Sequence, residues 1–193
     1  MLNKKKCIML ILCIIFLFNC SNTQTKKSGG RTTTTQSDSA LVSQKMNELK
    51  IMQQKILSNG TNEELERVLL EDSLLKSFNV WKGTKYQLGG DSKNGIDCSA
   101  LTRRIYRDVF KYELPRVSTD QAKVGRRISI NNLKAGDILF FRPEGRTNHT
   151  AVYLGNSVFL NASSSKGVVL SSLESNYWGK YFQYGVRVDV KKS

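Results

Sequence analysis

The order of apolar patterns along the chain limits the fold more than any other feature of the sequence. Apolar residues recur at helical spacing over 41–57, from 61 to about 75, and from 98 to about 112. Short β-type segments then follow at 137–141, 149–154, 157–161, 168–171 and 183–190. Helices that precede a run of short strands predict an α+β domain with an antiparallel sheet.

The start of the chain resembles an export signal. Residues 4–6 are all lysine, and the apolar run 7–18 that follows is shorter than the ~20 residues of a membrane-spanning helix. The run leads to Cys20, as in bacterial lipoprotein signals, although Asn19 stands where a small residue is usual. We expect 1–19 to be removed and Cys20 to carry a lipid such as palmitate; a plain secretory signal is the alternative. The protein would then be an exported, membrane-anchored lipoprotein facing the periplasm or cell wall.

Composition divides the remainder of the chain into three predicted parts. Residues 20–40 are polar and read as a flexible tether, because they cannot bury apolar surface. Residues 41–77 form a helical segment, in which Thr61 and Glu64 make a capping box that opens the second helix. Residues 78–193 form the folded domain.

A basic surface follows from the charge balance. The formal net charge is +14, and counting over 78–193 gives 19 basic and 9 acidic side chains. Such a surface favours a polyanion: nucleic acid, anionic lipid headgroups or an acidic wall polymer. Export removes nucleic acid from this set, and a merely solvated surface is the other interpretation.

Export also makes the cysteines informative. Cys7 and Cys13 fall in the signal and Cys20 is the predicted lipid site, so Cys98 is the thiol left to the mature domain. An unpaired cysteine in an exported protein is either a buried small hydrophobe or a reactive group. Cys98 begins a predicted helix, where the helix dipole stabilises a thiolate, and the chain's single histidine, His149, begins a predicted strand. A nucleophile–base pair for acyl transfer is one interpretation, and chance co-occurrence is the other.

Short motifs recur in a fixed order over residues 78–190. They are Trp81-x-Gly83-Thr84-x-Tyr86-x-x-Gly89-Gly90, Gly95-Ile96-Asp97-Cys98-Ser99, Leu114-Pro115-Arg116 with Gln121, Leu133-x-x-Gly136-Asp137-Ile138-Leu139-Phe140-Phe141, His149 before Val152-Tyr153-Leu154-Gly155, and Phe159-Leu160-Asn161-Ala162-Ser163. This set resembles the NlpC-like cell-wall cysteine peptidases. The resemblance implies a papain-like fold, with N-terminal helices packed against a central antiparallel sheet. It also implies hydrolysis of amide bonds in peptidoglycan stem peptides, most often between γ-D-Glu and the diamino acid.

The resemblance assigns catalytic roles to three residues. Cys98 corresponds to the nucleophile and His149 to the base that later protonates the leaving amine. Asn161 corresponds to the third position, which orients the imidazole and in this family is more often histidine. An amide oxygen can fill that role, because it accepts from the imidazole N–H. No metal or cofactor is implied.

Four further residues correspond to the family's oxyanion or substrate-binding positions. Tyr86 lies beside the nucleophile in the family, and aromatic core packing is the alternative for it. Asp97 and Ser99 hold the substrate's free amino terminus, and an aspartate at a helix start also serves as a cap. Arg116 can pair with a substrate carboxylate through its planar fork, or it can form a structural ion pair.

Two departures bear on substrate preference. Ala100 and Ala151 stand where the family usually has glycine, close to the nucleophile and the base. The expected function is therefore a peptidoglycan endopeptidase whose exact bond is open. A non-catalytic wall-binding scaffold lipoprotein and a thiol-dependent acyl transferase on the same fold are the alternatives. The sequence sets no oligomeric state.

Overall fold

The structure is a computed structural model that describes residues 37–190, which belong to one compact unit. The predicted signal peptide 1–19, the predicted lipid site Cys20 and most of the predicted tether 20–40 lie outside the described residues. Among the helices that are described, none combines the length and the apolar character needed to cross a bilayer.

Two long helices open the described chain. Helix α1 spans Asp38–Asn59 and helix α2 spans Asn62–Trp81. The predicted capping box is confirmed: the Thr61 hydroxyl accepts from the Glu64 N–H, and the Glu64 carboxylate accepts from the Thr61 N–H. Both orphan donors at the start of α2 are thereby satisfied.

Helix α2 is longer than its predicted end near residue 75, and it crosses the predicted division after residue 77. Phe78 and Trp81 are buried in the main core, so packing holds the last turn in helical form. Gly83, with a φ of 80°, comes just after the helix. Tertiary contact, which no local pattern reveals, extends the helix here.

A third helix begins at the candidate nucleophile. Helix α3 spans Cys98–Phe110, with Asp97 as its N-cap and Lys111, at a φ of 54°, as its C-cap. It ends slightly before the predicted position near residue 112, because Lys111 takes the left-handed conformation that stops a helix. Two short helices, α4 at Ser118–Gln121 and α5 at Asn176–Tyr181, and a 3₁₀ helix at Ile130–Asn132 were not predicted.

The predicted sheet is present and antiparallel. A small hairpin, β1 with β2, precedes a six-stranded sheet of order β3-β8-β4-β5-β6-β7. The strands are β1 Asp91–Ser92, β2 Gly95–Ile96, β3 Arg126–Ile128, β4 Ile138–Phe141, β5 His149–Gly155, β6 Val158–Ser163, β7 Gly167–Ser172 and β8 Phe182–Arg187. The five predicted segments correspond to β4–β8, whereas β1, β2 and β3 were missed. The α+β fold class is confirmed.

The β5–β6 hairpin sets the register that the candidate site needs. Asn156 and Ser157 both have positive φ in the tight turn, and Tyr153 pairs with Phe159 across the strands. Because side chains alternate along a strand, His149 and Asn161 project from the same face of the sheet as that pair.

The two faces of the sheet have separate cores. Helices α2 and α3 cover one face, where Leu74 and Ile105 belong to the same core cluster as Val152 of β5. The other face carries a smaller cluster that includes Phe141 and Phe159, with Trp178 of α5 packed against it. The start of α3, the start of β5 and the middle of β6 are thus brought to one end of the molecule.

Candidate active site

The thiol of Cys98 is held at the start of α3 against strand β5. Its residue is 7% exposed, and backbone N–H groups of Cys98, Ser99 and Thr150 donate towards the sulfur. Burial raises the pKa of Cys98, and it outweighs the lowering effect of those donors. The backbone donors at the helix start lower the pKa of Cys98 as expected, but burial has the larger effect and favours the neutral thiol in the resting site.

His149 is oriented by Asn161. The imidazole Nε2 lies 2.8 Å from Asn161 Oδ1, and Asn161 Nδ2 donates to Ser171 Oγ at 2.9 Å. Since the amide oxygen can only accept, Nε2 carries the proton and Nδ1 is left as the basic nitrogen. Burial lowers the pKa of His149 to about 4, against smaller raising effects of Asn161 and Asp97. The imidazole is neutral at pH 7.

Trp178 covers the imidazole and had not been predicted. Its ring centroid lies 4.9 Å from that of His149 and 4.9 Å from that of Phe141. Helix α5, which carries Trp178, is only six residues long and has no strong periodicity. Its nearest sequence signal is Ser175, whose side chain accepts from the Trp178 N–H and caps the helix.

Asp97, Ser99 and Arg116 form one cluster beside Cys98. The Arg116 guanidinium donates to both carboxylate oxygens of Asp97, at 3.0 and 2.8 Å, and to Ser99 Oγ at 3.0 Å. Burial opposes ionisation of Asp97, but Arg116 and the N–H groups of Gly89 and Ala100 together lower its pKa. Arg116 is therefore engaged in an ion pair, and its pairing with a substrate carboxylate stays a prediction.

Tyr86 approaches the nucleophile from the other side. It makes a parallel bridge with Ile96, just before the Asp97–Cys98 pair. Burial raises the pKa of Tyr86 to about 12, with further contributions from Cys98 and Asp97. The phenol therefore keeps its proton at neutral pH and can donate a hydrogen bond near the thiol.

Gln121 links helix α3, which carries Cys98, to strand β5, which carries His149. It is fully buried, and its Nε2 donates to the carbonyls of Ser99 and Pro115 at 2.9 and 2.8 Å. Its Oε1 accepts from Thr150 Oγ1 at 2.8 Å. The sequence marked Gln121 only as part of a motif, since nothing local indicates which backbone groups its amide reaches.

A cleft of about 890 Å³ opens at His149, whereas Cys98 lies outside its lining. His149, Tyr86 and Trp178 line it, together with Arg146 and Lys166. No group of three or more histidine, cysteine, aspartate or glutamate side chains suited to a metal ion occurs within residues 37–190. The arrangement can support attack by a sulfur nucleophile on a carbonyl, with an adjacent neutral imidazole as base.

The α+β fold, with a cysteine at a helix start and a histidine and an asparagine on adjacent strands, defines a papain-like domain. The model of the NlpC/P60 family matches residues 83–187. That match covers more than half of the chain, so the chain belongs to the NlpC/P60 family.

Two relatives and one solved structure illustrate the similarity. A probable endopeptidase NlpC homolog from Haemophilus influenzae is 43% identical over 121 residues, which cover 62% of this chain and 64% of the relative. The murein DD-endopeptidase MepS/murein LD-carboxypeptidase of Escherichia coli K12 is 38% identical over 124 residues, covering 64% and 66%. The chain therefore spans slightly less than two thirds of these relatives' lengths.

The solved structure is that of a Staphylococcus aureus Mu50 protein described as similar to a lipoprotein of the NLP/P60 family. It superposes with a TM-score of 0.55 at 30% identity, over 62% of this chain and 41% of that one.

Proposed function

We propose that this protein is a peptidoglycan endopeptidase, a cysteine peptidase that hydrolyses amide bonds in cell-wall stem peptides. The observation that carries the proposal is the His149–Asn161 hydrogen bond of 2.8 Å, together with the Thr150 backbone N–H, one residue after His149, which donates towards the sulfur of Cys98. Relatives whose names include endopeptidase and murein DD-endopeptidase support it. We take the bond after γ-D-Glu as the first candidate.

The reaction starts from a neutral pair. As Sγ of Cys98 attacks the amide carbonyl carbon, Nδ1 of His149 takes the thiol proton, and the carbonyl π electrons move to oxygen. The C–N bond then breaks, the imidazolium protonates the leaving amine, and a thioester remains. Water, deprotonated by the same imidazole, hydrolyses the thioester and restores the thiol. Asn161 holds the ring throughout by accepting from Nε2–H.

Charge that develops on the carbonyl oxygen needs donors. The backbone N–H of Cys98 at the start of α3 is one, and the Tyr86 hydroxyl, which stays protonated, is the second. Because Cys98 is buried and Tyr86 is half-buried, hydrogen bonds from these donors to an oxyanion are stronger than they would be in water.

The cluster of Asp97, Ser99 and Arg116 is proposed to bind substrate. The lowered pKa of Asp97 keeps it ionised at neutral pH, so it can attract the free amino terminus of a stem peptide. Ser99 Oγ adds a hydrogen-bonding group 3.1 Å from the same carboxylate. Arg116 fixes both groups, and its terminal N–H bonds go to Asp97, Ser99 and the Gly90 carbonyl. A substrate carboxylate would have to displace one of these contacts to pair with it.

Export and membrane attachment belong to the same proposal. The lysines at 4–6, the apolar run 7–18 and Cys20 support a lipid anchor on the mature chain. The polar segment ahead of helix α1 would then give the domain reach from the membrane to the wall. Residues 38–40, predicted as the end of the tether, belong to α1 instead, because Ser37 caps the helix there.

Defined muropeptides test the activity. The purified full chain is incubated with muropeptides of each stem type, and the products are identified by mass spectrometry. We expect cleavage by the wild type, and a loss of at least about 1,000-fold in rate for Cys98→Ala and His149→Ala. Lys76→Ala, at an exposed position of α2, is the control and keeps full activity.

The outcomes separate the alternatives. Intact muropeptides of every stem type, with a folded wild-type protein, would contradict the hydrolase. Products joined to an added amine instead of water would identify an acyl transferase. Binding of muropeptides without turnover would indicate a scaffold.

A further inference from the structure

A second concave region lies at the far edge of the six-stranded sheet. Its volume is about 570 Å³, and it is formed by strand β3, the 3₁₀ helix and the end of β8. The side chains that define it are Arg126, Arg127, Lys134, Arg187, Asn131 and Asn132. No carboxylate lines it. We call this region the basic pocket.

One carboxylate lies behind the basic pocket, and its acceptor capacity is already used. Asp137 is 2% exposed and accepts from Arg187 Nε and Nη2 at 2.8 and 2.7 Å. The same carboxylate also accepts from the Lys134 N–H at 2.8 Å. The negative charge of Asp137 therefore neutralises Arg187 and raises its pKa. Asp189 adds a smaller contribution to the raised pKa of Arg187. Neither acid offsets Arg126 or the Lys134 ammonium.

The register places two guanidinium-bearing residues opposite each other. Arg126 is the direct partner of Arg187 in the β3–β8 ladder. Like charges that face each other across a pair of strands are unfavourable. Within residues 37–190, Arg126 and Lys134 make no ion pair. A bound anion would relieve the repulsion and give both side chains a partner.

We propose that the basic pocket binds an anionic polysaccharide through its carboxylate or phosphate groups. The volume falls within the range of ordinary ligand pockets. Asn131 and Asn132 are exposed amides that can bind sugar hydroxyls, beside the cations that bind the charges. A concave polar pocket fits a single charged group on a polysaccharide chain better than it fits a flat bilayer.

The position of the pocket suits an additional contact with the wall. Strand β3 lies three strand spacings from β5, which is about 14 Å. A polymer bound at the pocket would hold the domain near its substrate while the cleft at His149 stays open. The inference goes beyond the proposed function and does not require catalysis.

Binding of model polysaccharides to the full chain tests the proposal. The probes are oligogalacturonate and phosphorylated dextran, with unmodified dextran as the neutral control and phosphatidylglycerol vesicles as the bilayer arm. The variant Arg126→Gln/Lys134→Gln removes the two unpaired cations. Lys50→Gln/Lys82→Gln removes the same charge from exposed positions outside the pocket, in α1 and just after α2.

The expected result is a selective loss. The Arg126→Gln/Lys134→Gln variant should bind at least one anionic polysaccharide about tenfold or more weakly than the wild type does. The control variant should lose less than about twofold in affinity. Turnover of a small soluble muropeptide should be the same in both, so a failure of the proposed activity would leave this test intact. Equal losses in the two variants would show diffuse attraction and overturn the site. So would absence of wild-type binding, or a selective loss on vesicles alone, which would indicate a membrane surface.

Discussion

The candidate active site and the N-terminal helix pair use polar groups in opposite ways. Around the site the polar side chains are buried and mostly uncharged, as in the contacts from Asn161 to Ser171 and from Thr150 to Gln121. The helix pair makes its ion pairs nearer the surface, such as the one of 2.8 Å between Lys45 of α1 and Glu174, although Glu71 of α2 is buried and accepts from Gln53. Exposed ion pairs contribute little to stability, whereas a buried polar group that loses its partner is costly.

This contrast shows which part of the chain tolerates change. Helices α1 and α2 both precede the family match, which begins at residue 83, and Leu49 and Leu74 attach them to the main core. Their polar contacts at the surface can be lost at small cost. The site can lose little, because Asn161 and Gln121 are fully buried and each amide satisfies two or more partners.

The largest effect expected from this contrast is a loss of stability in mild acid. His149 has a pKa of about 4 in the fold against an ordinary value of 6.5. Between these values the unfolded chain binds a proton and the folded chain does not. Stability is therefore full above pH 6.5 and is lost as pH falls through about 4. The two values convert to at most about 3 kcal/mol.

Urea unfolding at a series of pH values measures this dependence. Glu71 is buried and has a raised pKa, so it contributes with the opposite sign over part of the range. The difference between the wild type and His149→Gln isolates the imidazole. If the free energy of unfolding changes with pH to the same extent in both proteins, His149 does not titrate as a buried neutral base.

The next effect concerns the protonation state of the resting thiol. Because the pKa of Cys98 is raised above its usual 9.0, its alkylation by iodoacetamide should rise about 100-fold between about pH 7 and pH 9. Mass spectrometry of the peptide that contains Cys98 separates it from the other cysteines. A rate that stays level from mild acid to neutral pH would instead reveal a preformed thiolate–imidazolium pair.

The positions of the reacting groups could be predicted from the sequence, but their environment could not. Cys98, His149 and Asn161 lie in short motifs whose order matches the fold, and the alternation of β5 and β6 puts the last two on one face. The charge state of Cys98 depends on burial by strand β5, which lies about 50 residues later in the chain. A helix-start argument contains no information about that burial.

Short elements were missed for a related reason. Strand β3 has three residues and pairs with β8, some 60 residues further on, and α5 is stabilised by the packing of Trp178 on Phe141 and His149. Such segments have too few residues for a period to emerge. The long helices and the strands β4–β8 carry enough periodic residues to be recognised locally.

The smallest expected effect comes from comparing two sets of hydrogen bonds, the buried ones of Gln121 and those of Asn156 near the surface. Gln121→Ala leaves Thr150 Oγ1 and two carbonyls without their partner, so we expect a loss of about 2 kcal/mol in the free energy of unfolding. Asn156→Gly removes the contacts from Asn156 Nδ2 to the Lys45 carbonyl and to Glu48, while glycine keeps the positive φ of 46°. The loss there should be less than about 1 kcal/mol.

Activity on muropeptides further distinguishes the role of Gln121 from that of Asn156. Gln121 positions the start of α3 against β5, so its loss should lower kcat about tenfold or more with a smaller change in KM, as expected when reacting groups are misplaced. Gln121→Glu, which keeps an acceptor for Thr150 but loses the donors, should fall between the wild type and Gln121→Ala. Asn156→Gly should keep both constants, because Asn156 holds only α1. Equal effects of the two substitutions on kcat would mean that the helix pair and the site form a single cooperative structure, and the contrast between them would fail.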